Sequence, residues 1–365
     1  MTLNIPGTET GLTPEWLTSA LRASSTIGHE TVVAAVETEP VGNDMGFFSQ
    51  LSRLRLDYEG PQNGAPLKMI AKLSAASPEL RQRPNTVGRY ESEVRFYQHL
   101  AGQTTLPVPA CYYADIEIES GYHVLLLEDL APAQPGSKHA GATAEQAELA
   151  VTSIAAFHAI WWESPRMAEL EWLVDPSFDH DELVEAHAGW WPEFLRKAGH
   201  QLPDEMIALG ERLGHYRAEL FEKLWFTAPR TLTHADYSLG NMLFASPDSG
   251  RPFTVIDWQS VSRRRGTWDV AWFFSQNMEP NRRAAIEMDL LERYVEILAD
   301  NGVRGYDFDQ CHHDYKLCLL HRFGSLISTI AAMPFTPDQI QMHIDVLLPR
   351  NIAAILDNDA ASLLD

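Results

Sequence analysis

Cysteine is scarce in this chain: three residues among 365, Cys111, Cys311 and Cys318. So few, and an odd number, cannot staple a disulfide scaffold, and the count fits a reducing, cytoplasmic setting. Long hydrophobic runs are also lacking. A membrane helix needs about 18 apolar residues, whereas the run Val124-Leu-Leu-Leu127 is typical of the longest here. The N-terminal residues show no basic segment followed by an apolar run, so no secretory signal is expected. Positive charge is in deficit, with 28 Lys and Arg against 50 Asp and Glu and a net charge of −22. Such a surface repels phosphate backbones and anionic lipid, which argues against nucleic acid and membrane as partners. It would attract a cationic small molecule, although a soluble acidic protein with no charge-selected partner fits the composition equally well. Fixed-period repeats and low-complexity tracts are missing too.

What remains is a chain that is 45% hydrophobic and 21% charged. That composition can bury a sizeable core, and the length suggests about two domains. Thr13-Pro-Glu reads as a capped helix start with Pro at the first helical position. Strands are expected at residues 31–38, 47–58 and 68–73, the first two joined by a glycine-bearing turn. A helix is expected at 89–100, then a strand pair at 112–115 and 122–128. Beyond the Pro- and Gly-bearing stretch 129–136 the pattern turns helical, with helices expected at 144–162, 181–198, 204–224, 280–301, 307–333 and 337–357. The chain therefore divides into a sheet-rich lobe over 1–130 and a larger helical lobe over 131–365. The fold class is α+β.

The most informative stretch is Leu232-Thr-His-Ala-Asp-Tyr-Ser-Leu-Gly-Asn-Met-Leu-Phe244, followed by Val255-Ile-Asp-Trp-Gln259. Two short apolar runs flank the turn-rich segment 246–252, so a hairpin is expected to return Asp257 beside Asn241. Gly240 is expected to permit a tight backbone before Asn241. Phosphoryl transfer needs these parts in this order: a carboxylate that takes the acceptor's hydroxyl proton, then an amide and a second carboxylate that hold Mg²⁺. Asp236 is the candidate catalytic base, and Asn241 and Asp257 are the candidate metal ligands. The competing reading is a buried His-Asp pair that ties a loop together.

Residues upstream supply a nucleotide half. Lys72 lies in the apolar strand Ile-Ala-Lys-Leu and needs a partner. Glu93, on the following helix, is preferred over Glu91. A strand Lys held by a helix Glu grips the α- and β-phosphates of ATP in kinases. Adenine would be read by main-chain groups from Glu128 to Leu130. The turn bearing Gly42 and Gly46 would cover the phosphates, although it is not a full G-x-G-x-x-G. Asp269, in Gly-Thr-Trp-Asp-Val-Ala-Trp, is expected to support the catalytic loop or His234. The Trp-dense segments at 158–162 and 190–194, with Trp172, read as core packing more readily than as an aromatic acceptor wall. Arg263-Arg-Arg265 reads as a solvated turn. Cys311, His312, His313, Cys318 and His321 match no compact zinc spacing.

In this order the motifs resemble the aminoglycoside phosphotransferase/choline-kinase-like superfamily over nearly the whole chain. Asp-Trp-Gln, Glu-Val-Arg-Phe-Tyr and Asp314-Tyr-Lys are most similar to its ecdysteroid-kinase-like (CHK) branch and bacterial relatives. The resemblance implies a protein-kinase-like bilobal fold, with a small antiparallel-sheet N-lobe and a larger helical C-lobe. It implies an ATP- and Mg²⁺-dependent kinase that phosphorylates a small-molecule hydroxyl, as a monomer or homodimer. The family's base, metal and ion-pair positions fall on Asp236, on Asn241 and Asp257, and on Lys72 and Glu93. Family members act on antibiotics, choline, sugars or steroids, so the acceptor is not named. An aminoglycoside or macrolide phosphotransferase and a nucleotide-binding pseudokinase are the alternatives.

Overall fold

Thr13 starts the first helix, α1 (Pro14–Ala23): its Oγ1 accepts the Trp16 N–H at 3.2 Å, and Pro14 occupies the first turn, where a missing N–H costs nothing. The computed structural model describes residues 3–41, 49–173, 175–177, 179–246 and 250–364, apart from the side chains of residues 84 and 85. The chain forms two compact units. One comprises Met1–Gln134 with Ala245–Ser260, and the other comprises Pro135–Phe244 with Val261–Asp365. The segment 245–260, placed in the helical lobe on sequence grounds, therefore clusters with the sheet.

In the first unit, β1 (Val32–Pro40), β2 (Ser49–Glu59), β3 (Lys68–Ser74), β4 (Cys111–Glu117) and β5 (Tyr122–Glu128) form one antiparallel sheet in the order β1-β2-β3-β5-β4. Alternation assigns the faces. Leu54 and Leu56 of β2, Met69, Ala71 and Leu73 of β3, and Val124 and Leu126 of β5 bury together with Leu17, Ala20 and Leu21 of α1. Each Leu, Met or Val among them contributes about 1.5–3 kcal/mol on burial. Lys72, between Ala71 and Leu73, faces the other side. That side meets α3 (Pro84–His99), which follows the single turn α2 (Pro78–Arg81) and packs on β4 and β5. The α3 helix begins at Pro84, earlier than the expected 89, because a proline suits the first turn regardless of apolar periodicity.

The two-residue strand β6 (Gln134–Pro135) leads into the second unit. There α4 (Ala144–Trp161), α5 (His180–Ala198) and α6 (Asp204–Trp225) precede β7 (Thr231–Thr233) and β8 (Met242–Phe244). Strand β9 (Phe253–Val255) lies in the first unit, where the Val255 N–H donates to Pro107 O at 2.8 Å. After it come β10 (Ser262–Arg264), which pairs antiparallel with β7, then α7 (Thr267–Asn277), α8 (Pro280–Asp300) and α9 (Phe308–Ala332). Helix α4 begins with a capping box between Thr143 and Gln146. The helix expected over 337–357 is divided into α10 (Pro337–Met342), one π turn (His343–Leu347) and α11 (Leu348–Asp357). Pro349 has no N–H and its ring crowds the carbonyl four residues back, so the ladder widens there. From α11, Arg350 donates to Lys138 O at 2.6 Å, His139 O at 2.9 Å and Gln276 O at 3.0 Å.

The three consecutive arginines do not form a solvated turn. Arg263 pairs with Asp175 at 3.2 Å and donates to Met167 O and Leu173 O. Arg265 is buried and pairs with Asp314 at 2.7 Å. Arg264 lies over the Trp225 and Trp268 rings. Trp161, Trp191, Trp225 and Trp268 are core residues, with Trp191 packed where a side chain on Gly210 would otherwise sit.

Candidate active site

Strand β3 delivers Lys72 to two carboxylates within the first unit. Its Nζ lies 2.9 Å from Glu93 Oε1 and 2.7 Å from Oε2, the latter off the angle of a hydrogen bond, and 2.8 Å from Asp257 Oδ1. Glu91 turns instead toward Arg95, at 3.5 Å. Burial alone would depress the Lys72 ammonium, but Asp257 and Glu93 outweigh it and hold its pKa above the ordinary value. Glu93 is almost fully buried. That burial pushes its carboxyl upward, against the opposing pull of Lys72 and of the Trp258 N–H, which donates to it. An ion triad with a buried member such as Glu93 is maintained only when that charge is met by its partners.

Asp257 is locked locally. Its φ is +67°, in the left-handed region that non-glycine residues rarely occupy. Gln259 Nε2 donates to its Oδ2 at 3.2 Å. Trp258 is fully buried and stacks on Phe96 of α3, with centroids 3.8 Å apart and planes 5° apart. The Asp-Trp-Gln sequence thus joins the carboxylate to the helix that carries Glu93. Neither Trp258 nor Gln259 stood out as a site residue in the sequence; adjacency to Asp257 was the available signal.

At the end of the sheet, the Glu128 N–H donates to Ala110 O at 2.9 Å, and its carboxylate accepts from the Ala110 N–H and Arg251. Leu130 O accepts the Ala133 N–H at 2.9 Å. Among the described residues no acceptor meets the Leu130 N–H. Gly42 and Gly46 lie outside the described residues.

The second unit holds the other set. Strand β7 ends at Thr233 and the chain turns sharply through Ala235, whose φ is +66°. This left-handed position, rather than Gly240, makes the loop tight. A side chain at Gly240 would instead meet the Lys138 chain at 3.1 Å. Asp269 of α7 is fully buried and accepts the N–H of His234 at 2.7 Å and that of Ala235 at 2.8 Å. His158 of α4 extends the network, with Nε2 3.2 Å from Asp269 and Nδ1 2.9 Å from the Tyr294 hydroxyl. His158, expected in the core, is fully buried, and its link to the loop runs through Asp269 of α7, a partner distant in sequence. Trp268 Nε1 donates to Ala235 O at 3.2 Å.

On this scaffold Asn241 Nδ2 donates to Asp236 O at 2.9 Å and to Asp236 Oδ2 at 3.0 Å. The amide therefore points its nitrogen at Asp236 and keeps Oδ1 for another partner. Together with a carboxylate it offers an all-oxygen donor set, the kind a hard cation such as Mg²⁺ takes.

Residues 69–308, well over half of the chain, match the phosphotransferase enzyme family. The chain belongs to that family. The phosphotransferase is similar in fold to the microcompartment-associated aminopropanol kinase, with a TM-score of 0.56 and 16% identity over 96% of this chain and 100% of the other. It is also similar to a putative aminoglycoside phosphotransferase from Ralstonia eutropha JMP134, with a TM-score of 0.56 and 16% identity over 95% and 97%. No curated protein matches it. The α+β, protein-kinase-like fold class expected from the motifs is thus the phosphotransferase's fold. Among its described residues no helix is long and apolar enough to cross a membrane.

Proposed function

We propose that the phosphotransferase moves the γ-phosphate of ATP to a hydroxyl of a small molecule. Lys72, held between Glu93 and Asp257, is the observation that carries this reading: a buried ammonium with both carboxylates in place is the phosphate grip of a working kinase. In this reading Lys72 binds the α- and β-phosphates, and the Leu130 N–H is a donor to adenine. Asn241 Oδ1 and Asp257 would hold Mg²⁺, which when bound neutralises charge on the phosphates.

Asp236 orients the acceptor hydroxyl and takes its proton as the oxygen–phosphorus bond forms; the bond to the β-phosphate oxygen breaks and ADP leaves. Asn241 fixes the Asp236 carboxylate through Oδ2, leaving Oδ1 for the acceptor. Asp269 acts through the loop, holding the backbone on which Asp236 is mounted. The aminopropanol kinase likeness agrees with a small hydroxylated acceptor.

The test is Asp236→Asn, assayed against an alcohol library. Turnover is expected to fall about 10²-fold or more while ATP binding, followed by calorimetry, is retained. Full turnover in that variant would refute the assignment.

A further inference from the structure

In the second unit, two buried guanidinium groups have no hydrogen-bonded counter-charge among the described residues. Arg217 of α6 and Arg322 of α9 are 7% and 6% exposed. No carboxylate or carbonyl among the described residues accepts from either guanidinium, and buried nitrogens of both are without a partner. His321, next to Arg322 in sequence, is buried with Nδ1 unpartnered. Burial lowers the pKa of Arg322 to about 9 and of Arg217 to about 10, and lowers that of His321, on which Arg217, Arg322 and Arg264 also act.

Aromatic rings line the same place. Arg322 sits 3.2 Å from the Trp272 ring centroid. Arg264 lies 4.2 Å and 4.3 Å from those of Trp225 and Trp268, which His321 also packs against. Arg264 and Trp272, which border the cluster, are half-buried. Gly324 makes room for it, since any Cβ there would occupy the position of the Arg217 guanidinium. The cluster adjoins the catalytic loop: Trp268 bonds to Ala235 O, and Asp236 is the carboxylate whose charge acts on Arg322.

A buried guanidinium that no carboxylate hydrogen-bonds is costly, and a chain with a net charge of −22 has carboxylates to spare. We infer that Arg322, Arg217 and His321 form a subsite for an oxyanion, carboxylate or phosphate, carried by the acceptor whose hydroxyl meets Asp236. The inference rests on the kinase reading above and names its substrate class: a hydroxy acid or phosphorylated alcohol rather than a polycation. The flat guanidinium fork suits either oxyanion.

The full chain would be titrated without nucleotide, following tryptophan fluorescence. The probes are acetate, inorganic phosphate, glycerate, 3-hydroxybutyrate and glycerol 1-phosphate, against glycerol, 1-amino-2-propanol and kanamycin at matched ionic strength. The anionic set should bind, and its hydroxylated members should be phosphorylated with kcat/KM about 10-fold or more above the neutral and cationic set. Arg322→Met should raise KM for the best anionic acceptor about 10–100-fold with a smaller change in kcat. The variant's Tm should be unchanged or higher, because an unpaired charge has been removed. Arg217→Met should act in the same direction. No response to any anionic probe, or an Arg322→Met variant with lowered Tm and unaltered KM, overturns the subsite. Arg322-dependent binding without transfer to any bound probe supports the anion site and overturns the kinase reading.

Discussion

Trp258 lies flat on Phe96, 3.8 Å between centroids, and this stack joins the residue next to Asp257 to the helix that carries Glu93. Removing either ring should weaken both the fold and the phosphate grip. Trp258→Ala is expected to cost about 3–5 kcal/mol. In a double-mutant cycle with Phe96→Leu and Trp258→Leu, urea unfolding should give a coupling of about 0.5–1.5 kcal/mol. A coupling near zero would mean that the stack contributes only its area.

Lys72 and Glu93 should be separable into stability and chemistry. Lys72→Met leaves Glu93 buried without its main counter-charge and is expected to destabilise by about 3–5 kcal/mol. Adding Glu93→Gln should return most of that stability while turnover stays lost. Denaturant midpoints and rates on the two variants check this, and a double variant as unstable as the single one would contradict it.

Ala235 holds a left-handed backbone that costs a non-glycine residue about 1 kcal/mol or more. Ala235→Gly should relieve that strain and, at the same time, loosen the loop under Asp236. A Tm equal to or above that of the parent, with reduced kcat, is the expected pair of results.

His187 predicts an acid-side loss of stability. Burial pushes its pKa down to about 4, partly opposed by its hydrogen bond to Gly210 O at 2.9 Å. The unfolded chain then binds more protons than the folded one between about pH 6.5 and 4, so stability is full above that window and falls as pH drops through it. The contribution is of order 2 kcal/mol. His187→Asn should flatten this part of the stability–pH curve measured by urea unfolding; an unchanged slope would place the acid sensitivity elsewhere.

Much of this was legible before the structure, and the reasons are local. The ends of α4, α8 and α9 were readable to within a residue or two because Thr143, Pro280 and Asp307 are cap or first-turn residues beside apolar periodicity. Asp236 and Asn241 share one short loop, so the contact of the Asn241 amide with Asp236 was readable from their spacing. The misreadings arose where the deciding partner is distant in sequence. Arg263 and Arg265 looked solvated because Asp175 and Asp314 cannot be foreseen beside them. Ala235 carries no signal for a left-handed turn, so Gly240 drew the attention instead.

Arg350 has a practical consequence. It sits on the last long helix yet fastens the carbonyls of residues 138, 139 and 276. The Lys138 side chain lies against Gly240, next to Asn241. Trimming the chain before residue 350, or cleaving it within the preceding π turn, should therefore register as lost turnover rather than as a shortened tail, and fusion partners are better attached beyond α11 than in place of it.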